Sequence, residues 1–326
     1  MAPSVAVVGA GIGGVSAARV LQSRGVDVVV LDRGHRIGGR MAARTLRGTG
    51  LPYDGRVVDV GAAYLTADDA EFAEVVAAWV DAGVARPWTD TFLTATFDGV
   101  SGSTTGPMRY AAAGGLRSLV EDLAADLTTV VYPREVASVE RDRDGVLVDG
   151  ERFDSVVLAM PDPQARDVLA LDDPLQFRLT GVEWLPVLSV TAAYAAHRWD
   201  DLDGVFVNDN DAISFIAEDG RRRGDGAPVL VVQTHPALAA RHLDDPSGAA
   251  PEALAALRSV LDVPSPAWHE VRRWSLARPE ANRPEPFALV DGIGICGDSW
   301  GAPPRIQTAW LSGRRLGEAV AESLGV

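Results

Sequence analysis

A glycine-rich turn between two apolar runs constrains this chain more than any other feature. Ser4-Val5-Ala6-Val7-Val8 leads into Gly9-Ala10-Gly11-Ile12-Gly13-Gly14, an Ala/Val/Leu stretch follows, and Val28-Val29-Val30-Leu31 ends on Asp32. Strand, glycines, helix, strand and acid in register predict one βαβ unit that holds a dinucleotide. Gly9 permits the tight turn, Gly11 lets the backbone approach a pyrophosphate, and Gly14 lets helix and strand close on each other. The helix opening at Ile12 and Gly13 turns free N–H groups toward the anion, and Asp32 is placed to hydrogen-bond the adenosine ribose.

The residues that follow Asp32-Arg33 bear on which dinucleotide it is. Nicotinamide dehydrogenases usually continue into further βα units, whereas Ile37-Gly38-Gly39-Arg40-Met41 resembles the FAD-binding arm of flavin amine oxidases and their relatives. In that arm the glycines bring the loop to the cofactor and the arginine neutralises its pyrophosphate. The C-terminus carries a second matching piece. Gly292-Ile293-Gly294-Ile295-Cys296-Gly297-Asp298 reads as a strand ending in Gly-Asp, and Arg305-Ile306-Gln307-Thr308 opens a helix that runs on to Leu324. In flavoproteins of this architecture the Gly-Asp meets the ribityl-phosphate, and the last helix points its N-terminus at the flavin pyrimidine edge.

Length and charge narrow the remaining classes. The 326 residues suffice for two packed domains, and a formal charge of −15 argues against nucleic acid, whose phosphates require a basic face. No apolar run is long enough to cross a bilayer and the chain opens directly into a strand, so a cytoplasmic protein with no membrane partner is expected. All 30 basic residues are arginine. Without lysine there is no Schiff-base lysine and no phosphate-loop lysine. The lone Cys296 rules out an internal disulfide and is read as a buried strand residue, and five histidines lack metal-ligand spacing, so no metal is expected.

Turn signals divide the rest into alternating pieces. Asp59 to Thr66 reads as a strand end entering a loop, and Ala67 to Ala85 as a helix with Phe72, Val75, Val76 and Trp79 on one face. A loop and helix are predicted over 114–123, and a hairpin over 130–150 turning at Asp144-Gly145. A buried parallel strand over 153–161 is stopped by Pro161. Strand-like stretches at 187–194, 204–217 and 229–234 precede a helix at 251–261. The run Arg221–Arg223 reads as a surface salt-bridging stretch.

Together these motifs resemble the renalases, in particular the bacterial renalase-like flavoproteins. The likeness covers nearly the whole chain and rests on Gly38-Gly39-Arg40-Met41, Asp59-x-Gly61-Ala62-x-Tyr64-x-Thr66, the Gly115-Leu116 helix and Leu158-x-Met160-Pro161. Gly204-Val205-Phe206-Val207-Asn208, Trp274 and Gly297-Asp298 extend it. It implies an α/β protein with a Rossmann-type FAD-binding domain and a second α+β substrate domain, in the p-hydroxybenzoate hydroxylase-like architecture. The expected division gives 1–67, 107–164 and 286–326 to the FAD-binding domain, and 68–106 and 165–285 to the substrate domain. Non-covalent FAD is expected on Gly9, Gly11, Ile12, Gly13, Gly14, Asp32, Arg33, Gly39, Arg40 and Met41. Gly61, Ala62, Ala63, Tyr64, Val136, Met160, Gly297, Asp298, Arg305, Ile306 and Gln307 complete that set. Tyr64, Trp274, Trp300 and Arg305 are expected to line the substrate pocket, with Trp184 and Trp310 as further aromatic candidates and Arg272 or Arg273 available to an anionic substrate.

Renalases are understood to oxidise misreduced nicotinamide dinucleotides, releasing NAD(P)+ and passing electrons through flavin to oxygen to give hydrogen peroxide. The expected partners are therefore a dihydronicotinamide dinucleotide and molecular oxygen. This chain departs from the family in carrying Ser214-Phe215-Ile216-Ala217-Glu218-Asp219 after the Asn208 strand, and Gln233 where histidine is expected. The alternatives are a flavin amine oxidase or desaturase and, from another class, a non-catalytic binding protein like the Rab GDP-dissociation inhibitors, which share the architecture.

Overall fold

The computed structural model describes residues 2–326 and divides into two compact units. Of the described residues, the first comprises 2–40, 120–184 and 278–326, and the second 41–119 and 185–277. Segments 41–67 and 107–119, expected with the cofactor domain, pack within the second unit, and 165–184 and 278–285 pack within the first. Segment 41–67 joins the second unit through Asp59, which is tied by charge to Arg223 far along the sequence, and its short Ala43–Thr45 and Val57–Asp59 strands pair with each other.

In the first unit a six-stranded sheet runs in the order Ala288–Val290, Ile293–Ile295, Ser155–Leu158, Ser4–Val8, Asp27–Leu31, Val130–Val131. All neighbours are parallel except the first pair. The buried β-branched run Val5–Val8 suits a central strand covered on both faces. Helix Ile12–Ser23 and the C-terminal helix Ile306–Ser323 lie against each other because both carry glycine at the crossing. A Cβ on Gly313 would sit 1.9 Å from the Gly13 carbonyl oxygen, and one on Gly13 would sit 2.9 Å from that of Ala309. A three-stranded meander runs Val139–Asp142, Gly145–Val148 and Glu151–Phe153; the hairpin predicted over 130–150 is confined to its first two strands, because Val130–Val131 pairs with Asp27–Leu31 in the six-stranded sheet. Cys296 is fully buried one residue beyond the end of its strand.

The second unit is built on a seven-stranded sheet ordered Trp268–Pro279, Trp184–Ala193, Val229–Thr234, Ile213–Glu218, Gly204–Val207, Arg86–Thr96, Gly99–Ala111. One face packs Leu188, Val190, Val205, Ile216 and Val232 with Leu257 and Val260 of helix Ala250–Leu261. The other carries Phe92, Phe206, Phe215 and Gln233. The predicted strand over 204–217 is two strands, broken where Asp209 takes a positive φ of 51°. Helix Ala70–Asp81 is shorter than the predicted span because Asp69 caps it through the amides of Glu71 and Phe72, and it buries Phe72, Val76 and Trp79. The long Arg86–Thr96/Gly99–Ala111 hairpin and strand Trp268–Pro279 are not legible in the sequence. Their solvent-facing residues blur the alternation that marks a strand.

Candidate active site: a glycine cradle and an aromatic face

The strand Ser4–Val8 ends in a turn that only glycine can make. Gly9 has φ of +109°, and a Cβ there would lie 2.4 Å from the Ala159 carbonyl oxygen. A Cβ on Gly14 would lie 1.9 Å from the Gly9 carbonyl oxygen, so these two glycines close helix onto strand. Gly11 differs. It has ordinary backbone angles as N-cap of Ile12–Ser23, no side chain caps the helix, and a Cβ there would meet nothing within 4 Å. Bare amides at a helix N-terminus beside open space form an anion cradle.

Asp32 is fixed at its edge by the amides of Ala10 and Gly34, each at 2.7 Å. Gly38 donates to the Ala10 carbonyl at 2.8 Å, and Gly39, with φ of +52°, brings its backbone close to Gly11. Arg40 follows, its guanidinium forked on Asp298 at 2.6 and 2.8 Å and 5.1 Å from the Trp184 ring centre. The Gly297-Asp298 turn is in turn held by Ser312, which accepts from the Gly297 amide at 3.0 Å, and by Asn282, which donates to the Asp298 carbonyl at 2.8 Å. Neither supporting residue was singled out from the sequence. Val136 and Met160 pack on the apolar cluster with Val8 and Leu31, while Arg33 is exposed and lies 3.9 Å from Glu135.

The Arg305 backbone opens the last helix with no side-chain cap, and Ile306 and Gln307 form its first turn. Two aromatic expectations change here. Trp300, expected in the substrate pocket, is 2% exposed in the core with Arg283 4.4 Å above its ring, so it supports the sheet from within. Trp310 is likewise buried and lies under Arg314. The open space at Gly11, the uncapped helix and the acid at the end of the second strand fit a dinucleotide cofactor.

Met41, Gly61, Ala62, Ala63, Tyr64 and Trp274 belong to the second unit. There the loop after Asp59 is pinned almost residue by residue. The Trp274 indole donates to the Val60 carbonyl at 2.6 Å, Gln233 to that of Gly61 at 2.9 Å, and Arg222 to that of Ala63 at 2.8 Å. Leu65 and Tyr110 exchange backbone hydrogen bonds. The Tyr64 ring stands edge-on to Phe92 and Phe215, at 5.4 and 6.1 Å.

The anchor of this loop is a buried charge cluster where the sequence reading expected a surface run. Arg222 and Arg223 are 0% and 5% exposed, in a short helix Asp219–Arg223 capped by Glu218. Asp219 accepts from Arg56, Arg222 and Arg223, and Arg223 also reaches the Asp59 carboxylate at 2.9 Å. Burial pushes the Asp219 carboxyl up, but the three guanidiniums outweigh it and hold it below its ordinary value. Burial pushes Glu218 up to about 7. Three consecutive arginines suggest a solvated run, and only the tertiary fold brings Asp59 to them.

A family match extends this picture beyond the cradle. The flavin containing amine oxidoreductase family matches residues 91–321, and the NAD(P)-binding Rossmann-like domain family matches 7–79. The chain belongs to the flavin-containing amine oxidoreductase family. It is accordingly an FAD-dependent oxidoreductase. Polyamine oxidase 2 of Arabidopsis thaliana is 48% identical over 63 residues, which are 19% of this chain and 11% of that relative's length. Among solved structures, a protein of Exiguobacterium sp. 255-15 named for protoporphyrinogen oxidase has a TM-score of 0.78 at 14% identity, covering 99% of both chains. Cyclohexylamine oxidase from Brevibacterium oxydans IH-35A has a TM-score of 0.76 at 14% identity, covering 100% of both. These structural likenesses concern the fold. Among the described residues no helix is long and apolar enough to cross a membrane.

Proposed function

We propose that this protein is an oxidase that takes hydride from misreduced nicotinamide dinucleotides, the 2- and 6-dihydro isomers of NAD(P). The observation that carries the reading is the complete absence of lysine from a chain of this family. Amine oxidases of the fold usually keep a lysine beside the flavin ring. A dihydropyridine can do without one, because its own nitrogen lone pair expels the hydride and orientation becomes the main requirement. The near-full-length resemblance to renalases supports the same assignment.

Bound FAD would supply the hydride acceptor and the route of electrons to oxygen. Overall, one hydride from the dihydro ring and one proton from solvent convert oxygen to hydrogen peroxide, leaving NAD(P)+. The amides at Gly11, Ile12 and Gly13 would hold the pyrophosphate, with Asp32 on the ribose and Arg40 as the neutralising cation. Arg305, Ile306 and Gln307 would present an uncapped helix start to developing negative charge. The carbonyl-pinned Gly61–Tyr64 loop would give Tyr64 and Trp274 fixed orientations toward a small-molecule substrate. Attachment would be non-covalent, since the Cys296 thiol is sealed in the core and pushed up to about 12 by burial.

The family match and the polyamine oxidase relative favour a second reading, oxidation or desaturation of an amine. Hydrogen peroxide release separates the two. Nicotinamide isomers made by borohydride reduction of NAD+ are expected to be turned over at least about tenfold faster than ordinary NADH, with no release from putrescine or cyclohexylamine. Peroxide from an amine, with none from any dihydronicotinamide, would overturn the proposal.

A further inference from the structure

We infer that Arg109 is the residue that receives a negatively charged group of the substrate. Arg109 lies on strand Gly99–Ala111 and is only 5% exposed. Its guanidinium carbon lies 4.0 Å from the ring centre of Phe92, 5.6 Å from that of Tyr64 and 5.9 Å from that of Phe206. Nη1 donates to the Asp90 carbonyl at 2.6 Å, and the buried Nε has no acceptor.

The contrast with the other buried arginines of the same unit carries the argument. Arg56, Arg222 and Arg223 each meet one or two aspartates. Arg109 meets none among the described residues. A buried cation without a counter-charge is costly, and aromatic faces compensate only in part. The surroundings are nevertheless built to keep it there. Gly204 is glycine where a Cβ would strike the Phe92 ring at 2.7 Å, which leaves that ring free to lie under the guanidinium.

A cation embedded among aromatic rings, two of them the half-buried Tyr64 and Phe206, suits an anion attached to an apolar or aromatic body. It repels an ammonium group. The identity of the anion rests on the proposed function: in a dihydronicotinamide dinucleotide it is the pyrophosphate. Arg109 then determines specificity, separating phosphate-bearing nicotinamides from amines that share the family fold.

The test uses FAD-loaded protein and two probes. Inorganic pyrophosphate is expected to raise the melting temperature of the wild type, to have no effect on Arg109→Met, and to act partially on Arg109→Lys. Anaerobic flavin reduction is then followed with 6-dihydro-NAD and with the phosphate-free 6-dihydronicotinamide riboside. The wild type is expected to bind the dinucleotide at least about tenfold more tightly, and Arg109→Met to bring the two within about twofold, the loss falling on the dissociation constant. No pyrophosphate response in the wild type, or an equal one in Arg109→Met, overturns the inference. If Arg109→Met does not fold, the wild-type response and the lysine variant decide. An Arg109-dependent pyrophosphate response with no flavin reduction by either nicotinamide would leave the anion site standing and remove the dinucleotide reading instead.

Discussion

The cradle of the first unit and the aromatic face of the second are built in opposite ways. In the cradle the working surface is backbone, and what shapes it is missing side chains: Gly9, Gly13 and Gly14 let strand and helices touch, and Gly11 leaves room. In the second unit the loop over 59–65 is held by side chains of Trp274, Gln233 and Arg222, and charge is buried beneath it. Such a backbone cradle tolerates no added atoms at the glycines where helix and strand touch, and it needs few partners. Side-chain walls depend on satisfying every buried charge, so each partner removed leaves another stranded.

The largest effect should come from adding one methyl group to the cradle. In Gly14→Ala the new carbon meets the Gly9 carbonyl at 1.9 Å, forcing helix from strand at a cost of about 3 kcal/mol or more. Gly11→Val, only three residues away, should keep the melting temperature of the apoprotein within a few degrees and lose most of its FAD. Denaturation midpoints with flavin-to-protein ratios check the pair; equal stability losses in both would erase the division of labour among these glycines.

Next in size is Arg222→Met. Removing this guanidinium orphans the Ala63 carbonyl and takes one of three cations from Asp219, so about 3–5 kcal/mol of stability should be lost. Arg221→Ala, an exposed neighbour paired with Asp201 and Asp203, should cost at most about 1 kcal/mol. Chemical denaturation of both variants would show whether burial, and not the arginine run itself, matters.

A smaller effect concerns pH. The Glu218 carboxyl, ordinarily at 4.5, is raised to about 7 by burial, so the folded state holds its proton more firmly than the unfolded chain. That contribution is fully present below about pH 4.5 and is lost as pH rises toward 7, on the order of 3 kcal/mol. Glu218→Gln keeps an acceptor for the Arg221 amide and should flatten this slope between pH 5 and 8. A variant whose melting temperatures track the wild type across that range would show that Glu218 is not the source.

What could be read from the sequence follows the same division. Gly9, Gly11, Gly14, Asp32, Gly39 and Arg40 lie within one continuous stretch, and their spacing alone encodes the turn, the helix start and the return strand. The second unit's wall joins Asp59 to Arg223 and Val60 to Trp274 across long separations, and no local periodicity records such pairings. The same limit explains the Arg221–Arg223 run. Asp219 stands three and four residues before Arg222 and Arg223 on the same helix, but the burial of these two arginines also depends on Asp59, which arrives from a distant segment. Trp300 shows a related limit: its position after Gly297-Asp298 suggests the site, while its side chain is buried in the core under Arg283.

Anaerobic flavin reduction tests the central claim most directly. FAD-loaded protein mixed without oxygen with 2- or 6-dihydro-NAD(P) should bleach its flavin rapidly and release NAD(P)+, while ordinary NAD(P)H bleaches it slowly and putrescine leaves it oxidised. Rapid bleaching by an amine, with the flavin unmoved by every dihydronicotinamide isomer, would contradict the account.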